Sequence, residues 1–306
     1  MFYGVDIGGS KVAFAVFDVH GVELERSVHK TPQTTYAAFM ALLVELVRSA
    51  DTRWQVTGGV GIGFPGVLDS EGLMLAPNVP AIHGHDLKGD LQQQLGRTVY
   101  ADNDANCFLV SEYHQGAAAE AELALALTLG TGVGGALMYR GQLVNSKRGG
   151  SAEFGHGGIN AMLLERHREL PLFPCGCGLR GCLETYVSGT GLSRLYRHGG
   201  GAPLSGPAII SAWQQGERLA ADSLSLYLDI LAAGLGTLMT QLDPDVVVLG
   251  GGLSEHPWLY RELEQRLPEF VMTKVTPAPV RAPVFGGSGG VRGAALLARH
   301  AALPFS

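Results

Sequence analysis

The stretch Leu127-Thr128-Leu129-Gly130-Thr131-Gly132-Val133-Gly134-Gly135 decides how this chain is read. An apolar run, Leu123 to Leu129, enters six residues of which four are glycine, and a second apolar run, Ala136 to Tyr139, leaves them. That pattern specifies strand, glycine turn, strand. Such a turn leaves backbone N–H groups unshielded by side chains, and glycine lets an anion come close to them.

The pattern occurs once earlier. Gly4-Val5-Asp6-Ile7-Gly8-Gly9-Ser10 is again a short strand entering glycines, and Val12 to Phe17 resumes an apolar run that Asp18 and Gly21 end. Two such units predict a duplicated architecture, with one anion-binding turn in each half and both turns closing on one phosphate chain. A third glycine turn, Gly250-Gly251-Gly252, follows the apolar strand Val246-Val247-Val248-Leu249.

Composition bounds the rest. A chain of 306 residues can bury a substantial core as one large or two medium domains. Hydrophobic residues make up 46% and charged residues only 16%, which excludes disorder, and the 44 glycines cluster between apolar runs as turns of an α/β protein do. A formal charge of −6 with no sustained Lys/Arg run argues against nucleic acid as a partner. The first predicted strand leaves no room for a signal peptide, and no stretch reaches the ~20 apolar residues of a bilayer span. The expectation is a cytoplasmic protein without a membrane partner.

Between the glycine turns, strand and helix alternate as in a doubly wound or related α/β domain. Thr34 and Thr35 can cap a helix with the apolar stripe Phe39, Leu42, Leu43, Leu46 and Val47, and Val60 to Phe64 is a buried strand ended by Pro65-Gly66. From Leu68 to Gln94 the pattern is irregular, with Pro77 and Pro80 fixing a loop around Asn78. Val99-Tyr100 reopens a strand, and Asp102-Asn103-Asp104 sits where it meets a helix bearing Ala105, Phe108, Leu109 and Tyr113. Gly116 and Ala117–Ala119 mark the expected boundary between residues 1–116 and a second domain, 117–290. Gly141 to Pro174 is a mixed region. The longest predicted helix runs from Gly216 to Leu242, and a last one from Val291 to about His300.

Two glycine signatures can be weighed against this reading. G-x-G-x-x-G occurs at Gly61/Gly63/Gly66 and at Gly130/Gly132/Gly135, but dinucleotide binding needs strand, turn and helix. Pro65 interrupts the first copy, and the second runs into a strand. A Walker loop is absent, since Lys11 follows Gly9-Ser10 without the upstream spacing. Opposed hairpin turns gripping a nucleotide remain, against the plainer alternative that the glycines only permit sharp turns.

Asp104 is the candidate catalytic residue. At a strand-to-helix junction a carboxylate is rigidly held, and helix-end N–H groups favour its ionised form. Phosphoryl transfer asks for a carboxylate that orients an incoming hydroxyl and takes its proton, with metal and dipoles for the phosphate charge. Asn103 can hold a neighbouring hydroxyl, although Asp102 and Asn103 serve equally as helix caps. Glu153 and Glu184 can each accept hydrogen bonds from sugar hydroxyls, and Asp6 is placed to hold metal-bound water near the first turn. Cys175, Cys177 and Cys182 fall within eight positions, and with a histidine they make the closed Cys3His set of a structural zinc site. His156, flanked by Gly155 and Gly157, and the nearer His167 both qualify as the fourth ligand. Cys107 reads as buried and inert.

Asp6-Ile7-Gly8-Gly9-Ser10-Lys11, Asn103-Asp104-Ala105-Asn106, Gly130-Thr131-Gly132-Val133-Gly134-Gly135, Glu153-Phe154-Gly155-His156 and Cys175-Gly176-Cys177-Gly178-x-x-Gly181-Cys182-x-Glu184 together resemble the ROK family of sugar kinases and repressors. The resemblance covers practically the whole chain. It implies an actin-like, hexokinase-like α/β fold, two domains around a central cleft closing over MgATP and sugar, with a last helix, about 291–303, returning to the first domain. The chain begins at the phosphate-turn strand without the repressors' helix-turn-helix, which favours a kinase.

The activity implied is ATP-dependent phosphorylation of the 6-hydroxyl of N-acetyl-D-glucosamine. Glucokinase, fructokinase or N-acetylmannosamine kinase activity is the alternative, with a non-catalytic sugar sensor as the rival from another class. Asp104 is then the base, and Asn78, Asn103, Glu153, His156 and Glu184 surround the sugar. Asp6, Gly8, Gly9, Ser10, Lys11, Gly130, Thr131, Gly132, Val133, Gly134, Gly250, Gly251 and Gly252 serve ATP and Mg2+. His156 joins Cys175, Cys177 and Cys182 on zinc, and a homodimer is implied. Ser10 stands where the family usually has threonine, and Phe285-Gly286-Gly287 where relatives commonly have His-Gly-Asp.

Overall fold

The computed structural model describes residues 1–144 and 152–302, and within them the chain forms two compact units. One holds residues 1–119 with 143–144 and 287–302, and the other holds Glu120–Gln142 with Ala152–Gly286. The expected helix end at 303 and residues 145–151 of the mixed region lie outside the described residues.

In the first unit β1 (Phe2–Ile7) turns back into β2 (Lys11–Phe17), and β3 (Glu23–Lys30) extends the antiparallel pairing. After α1 (Tyr36–Trp54), β4 (Gly59–Phe64) adds parallel to β1. A small hairpin of β5 (Val67–Leu68) and β6 (Met74–Leu75) precedes α2 (Leu87–Leu95). Then β7 (Val99–Asn103) pairs parallel with β4 and runs directly into α3 (Asp104–Tyr113). The sheet order is β3-β2-β1-β4-β7.

The second unit repeats that order. β8 (Leu123–Leu129) and β9 (Val133–Tyr139) form the antiparallel hairpin, with β10 (Gln142–Leu143) at the edge. Helices α4 (Ala161–Arg166), α5 (Glu184–Val187), α6 (Gly189–His198), α7 (Gly206–Gln214) and α8 (Arg218–Leu242) lead to β11 (Val246–Gly250), which pairs parallel with β8. α9 (Pro257–Arg266) and β12 (Val280–Arg281) complete the sheet β10-β9-β8-β11-β12. The duplication expected from the two hairpins is thus present strand for strand.

Local chemistry accounts for these elements. Thr35 Oγ1 accepts the Ala38 N–H at 3.2 Å and starts α1, whose Phe39, Leu43 and Val47 enter the core with Tyr3, Val5 and Ile62. In the second unit Leu224, Tyr227, Leu228, Leu231, Leu235 and Leu238 of α8 are all buried among β8, β11 and the other helices. α8 is long and apolar enough to cross a membrane by length and composition, but these side chains fill a protein core. Its glycines admit close neighbours: a β-carbon at Gly236 would stand 2.5 Å from Phe270 O, and one at Gly234 would stand 2.7 Å from Leu183 Cδ2.

The last helix, α10 (Gly289–Ala302), belongs to the first unit. It lies on β1, β4 and α3 at backbone distance, because glycines line the contact. A β-carbon at Gly4 would fall 1.9 Å from Val291 O, and one at Gly293 would fall 1.7 Å from Cys107 O. Gly61, a member of the first G-x-G-x-x-G copy, does the same against Ala294. The second copy spans an antiparallel hairpin, so neither copy is followed by the helix that dinucleotide binding needs.

Candidate active site

Across the first sheet, the carboxyl ends of the parallel strands bring three predicted segments level. Asp6 of β1 pairs with Gly63 of β4, which pairs with Asp102 of β7. In open α/β sheets this edge is where ligands bind. Burial raises the Asp6 carboxyl above its ordinary pKa, opposed by the charges of Lys11 and Arg26. α10 starts against it, since a β-carbon at Gly290 would be 2.7 Å from Asp6 Oδ2. The positive end of the helix dipole is therefore close to this carboxylate.

The first glycine turn is closed by Gly8 N donating to Lys11 O at 2.9 Å, while Thr31 N and Oγ1 donate to Ser10 O and Gly8 O. The amides of Gly9 and Ser10 take part in no hydrogen bond among the described residues. Asn78 lies in the neighbouring loop, its carbonyl 3.0 Å from where a Gly9 β-carbon would be.

Asp104 is the first residue of α3 and is half-buried. Asn103 caps the helix, its Oδ1 accepting the Ala105 N–H at 2.8 Å, and its Nδ2 donates to Gly66 O at 2.7 Å. Asp104 Oδ1 lies 2.8 Å from the same amide nitrogen. Asp102 Oδ1 accepts from Asn103 N and from Asn106 Nδ2 at 2.8 and 2.7 Å. The segment carrying Asp104 is thus fixed on both sides, and one donor and one acceptor site of the Asn103 amide are already used. Cys107 is fully buried behind it, its thiol pKa pushed well up by burial and by the charges of Asp102, Asp6 and Asp104, so it is inert as expected.

The second and third glycine turns lie side by side in the other unit. Gly250 pairs with Thr128, and Gly251, at φ +79°, packs so tightly that a β-carbon would be 2.5 Å from Leu129 O. In the second turn Gly130 N donates to Gly132 O, Gly134 N to Thr128 Oγ1, and Val133 N to Glu184 Oε2 at 2.9 Å. Only the Thr131 and Gly132 amides of this turn stay outside the hydrogen bonds among the described residues. Val133 and Gly134, expected as phosphate donors, have amides already engaged.

The residues expected as metal ligands are brought together as a candidate metal site. The ligand atoms of His156, Cys175, Cys177 and Cys182 all lie within 4.8 Å of one another. Cys177 Sγ to Cys182 Sγ is 3.6 Å and Cys175 Sγ to His156 Nδ1 is 3.5 Å. Tetrahedral zinc bonds of ordinary length give edges of about 3.8 Å and about 3.5 Å, so the four donors fit a closed metal centre. His167, the alternative ligand, instead places Nε2 3.9 Å from Asp229. The cysteine loop reverses through Gly178 and Gly181, at φ +92° and +74°. Glu153 Oε2 lies 3.7 Å from His156 Nε2, and its carboxyl pKa is raised by burial and by Glu184 while His156 opposes. Glu184 Oε1 lies 3.6 Å from Cys175 Sγ.

Sequence reasoning missed Asn106 as the support of Asp102, although it stands in a quoted motif, and missed Thr128, Gly189 and Thr190 around the second turn. At Gly287 a β-carbon would meet nothing within 4 Å, so its lack of a side chain is not a packing requirement.

Two α/β units with the same strand order, each presenting a glycine hairpin turn, define the actin-like and hexokinase-like ATPase architecture. Within it, residues 2–301 match the model described as ROK family, and this chain belongs to that family. It is 42% identical over 300 residues to the N-acetyl-D-glucosamine kinase of Escherichia coli O1:K1 / APEC, covering 97% of this chain and 99% of that protein. The ROK hexokinase from Thermus thermophilus superposes with a TM-score of 0.85 at 32% identity, over 97% of each chain. A ROK family glucokinase from Streptomyces griseus, solved with glucose and AMPPNP, gives a TM-score of 0.79 at 30% identity over 98% of this chain and 99% of that one.

Proposed function

We propose that this chain is an ATP-dependent sugar kinase that phosphorylates N-acetyl-D-glucosamine at its 6-hydroxyl, giving the 6-phosphate and ADP. The observation that carries the reading is the 42% identity, over nearly the full length of both chains, with an N-acetyl-D-glucosamine kinase. Asp104, fixed at the start of α3 with its neighbours tied to Gly66 and Asn106, supplies the base that this chemistry needs.

Asp104 accepts the proton of the 6-hydroxyl as that oxygen forms its bond to the γ-phosphorus, and the bond to the bridging oxygen breaks with its electron pair leaving on ADP. The uncommitted amides of Gly9, Ser10, Thr131 and Gly132 are assigned to phosphate oxygens, as preorganised donors for charge that grows in the transition state. Asp6 is assigned to the water shell of Mg2+, which would supply positive charge against the phosphates. Asn78, Asn103, Glu153, His156 and Glu184 are assigned to the sugar hydroxyls. His156 Nε2 remains for a hydroxyl while Nδ1 faces the cysteines, where zinc would hold the loop. We assign the protein to the cytoplasm, where ATP is the donor, and to a homodimer, which light scattering behind a sizing column checks.

Coupled ADP-release assays with N-acetylglucosamine, glucose, mannose, fructose and N-acetylmannosamine test the reading. The highest kcat/KM is expected for N-acetylglucosamine. Glucose is the second reading, supported by the sugar found with the Streptomyces relative, and a tenfold preference for it over N-acetylglucosamine overturns the first.

A further inference from the structure

The segment that follows the last cysteine of the metal cluster grips the second glycine turn at three points. Glu184, two residues after Cys182, accepts the Val133 N–H through Oε2, and this oxygen is so close to the turn that a β-carbon at Gly132 would stand 2.5 Å from it. Gly189 N donates to Gly130 O at 2.8 Å. Thr190 Oγ1 donates to Thr131 O at 3.0 Å and is itself 3.0 Å from Ser188 Oγ.

The peptide bond is planar and trans, so a carbonyl and the N–H that follows it point in opposite directions from one rigid plate. Gly130 O shares its plate with Thr131 N, Thr131 O shares its plate with Gly132 N, and Gly132 O, which accepts from Gly130 N, shares its plate with Val133 N. Holding the first two carbonyls from one side therefore aims the two uncommitted amides to the other. The third plate is held at both ends, by Gly130 N and by Glu184.

We infer that residues 184–190 act as a clamp that orients the Thr131 and Gly132 amides for phosphate, with Thr190 and Glu184 as positioning residues for the nucleotide. The inference rests on the reading of this turn as the ATP phosphate site. It gives Glu184 a task on the nucleotide side besides its assignment to the sugar, and it gives a task to Thr190, which otherwise has none.

Thr190 offers the cleaner test, because only its hydroxyl reaches the turn. Calorimetric titration of the metal-loaded, sugar-free protein with Mg-AMPPNP is compared for wild type, Thr190→Val and Thr190→Ser, with thermal unfolding recorded for each. Thr190→Val is expected to weaken AMPPNP binding about five- to tenfold and to raise the KM for ATP in step, the loss expected of one hydrogen bond. The KM for sugar stays within twofold, and Thr190→Ser, which keeps the hydroxyl, restores wild-type affinity. A purely structural role at the start of α6 shows instead as a lower Tm with unchanged nucleotide affinity. AMPPNP binding by Thr190→Val within twofold of wild type overturns the clamp while leaving the proposed kinase standing. A wild-type protein that binds no AMPPNP overturns the phosphate-turn reading and the clamp with it.

Discussion

Gly61 and Ala294 touch backbone to backbone: a β-carbon built on the glycine would lie 1.7 Å from the alanine's carbonyl oxygen. No rotamer change relieves such an overlap, because the obstructing atom belongs to the main chain of α10. Gly61→Ala must push α10 off β4 or bend the strand, a cost at or beyond the upper end of the ~1–3 kcal/mol typical of overpacking. Urea denaturation of the variant is expected to show that loss, while Gly287→Ala, where space is open, leaves the unfolding free energy within about 0.5 kcal/mol.

Replacing Asp104 by Asn keeps the side-chain volume and removes the carboxylate proposed as the base. Steady-state assays are expected to give a kcat lower by roughly 10²–10⁴. Mg-AMPPNP affinity is unchanged, since Asp104 is assigned no contact with the nucleotide. Full turnover by this variant removes Asp104 from the catalytic role.

Native mass spectrometry is expected to find one zinc ion for each chain, held by His156, Cys175, Cys177 and Cys182. Cys177→Ser, a change at the exposed member of the set, loses that ion and with it the order of the loop, seen as faster amide exchange between residues 175 and 184. Retention of stoichiometric zinc by this variant counts against the ligand set.

His300 of α10 and His114, which follows α3, meet edge to face at 5.9 Å. Burial lowers the His300 pKa to about 4, helped by the charges of His114 and Arg299, and burial also lowers His114, helped by Arg292 and Arg299. Glu112 is the acid whose charge acts on Arg292 in this cluster. In the folded chain His300 then stays neutral down to about pH 4 and His114 takes up its proton less readily than a free imidazole, while the unfolded chain takes up protons near the ordinary pKa of about 6.5. Stability is therefore complete above about pH 6.5 and falls as the pH drops toward 4, since the unfolded state binds more protons over that window. For His300, only partly shielded from solvent, about 1–2 kcal/mol is expected after allowing for screening. Denaturation midpoints should rise from about pH 4.5 to about 6.5 and level off above it, and His300→Gln should flatten the rise.

Much of this architecture was legible because its signals are local. Apolar runs broken by glycine mark both hairpins, the strand–helix junction at Asp104 is visible from Val99-Tyr100 on one side and the face of Ala105, Phe108, Leu109 and Tyr113 on the other, and three cysteines in eight positions mark the candidate metal site. β3 leaves no such signal, because an edge strand of Glu23, Glu25, Arg26 and Lys30 carries charge where a core strand carries apolar side chains. α2 is hidden within an irregular stretch, since it buries only Leu87 and Leu91 and leaves too little apolar period to detect. The contacts of the second turn were beyond local reading: Thr190 reaches Thr131 across 59 positions, and nothing near either residue announces the other. Gly4, Gly61 and Gly293 show the converse difficulty, since a glycine that admits a helix looks in sequence like one that makes a turn.

The return of α10 to the first unit also fixes an order of events at the ribosome. Strands β1 to β7 are synthesised early, yet the surface that Gly4 and Gly61 prepare stays uncovered until residues 289–302 have been made. The later-made unit holds all of its own strands and helices by Gly286, so it can mature while its predecessor still waits for its final piece. Chaperone binding to the nascent chain is thus expected to concentrate on the part that was translated first.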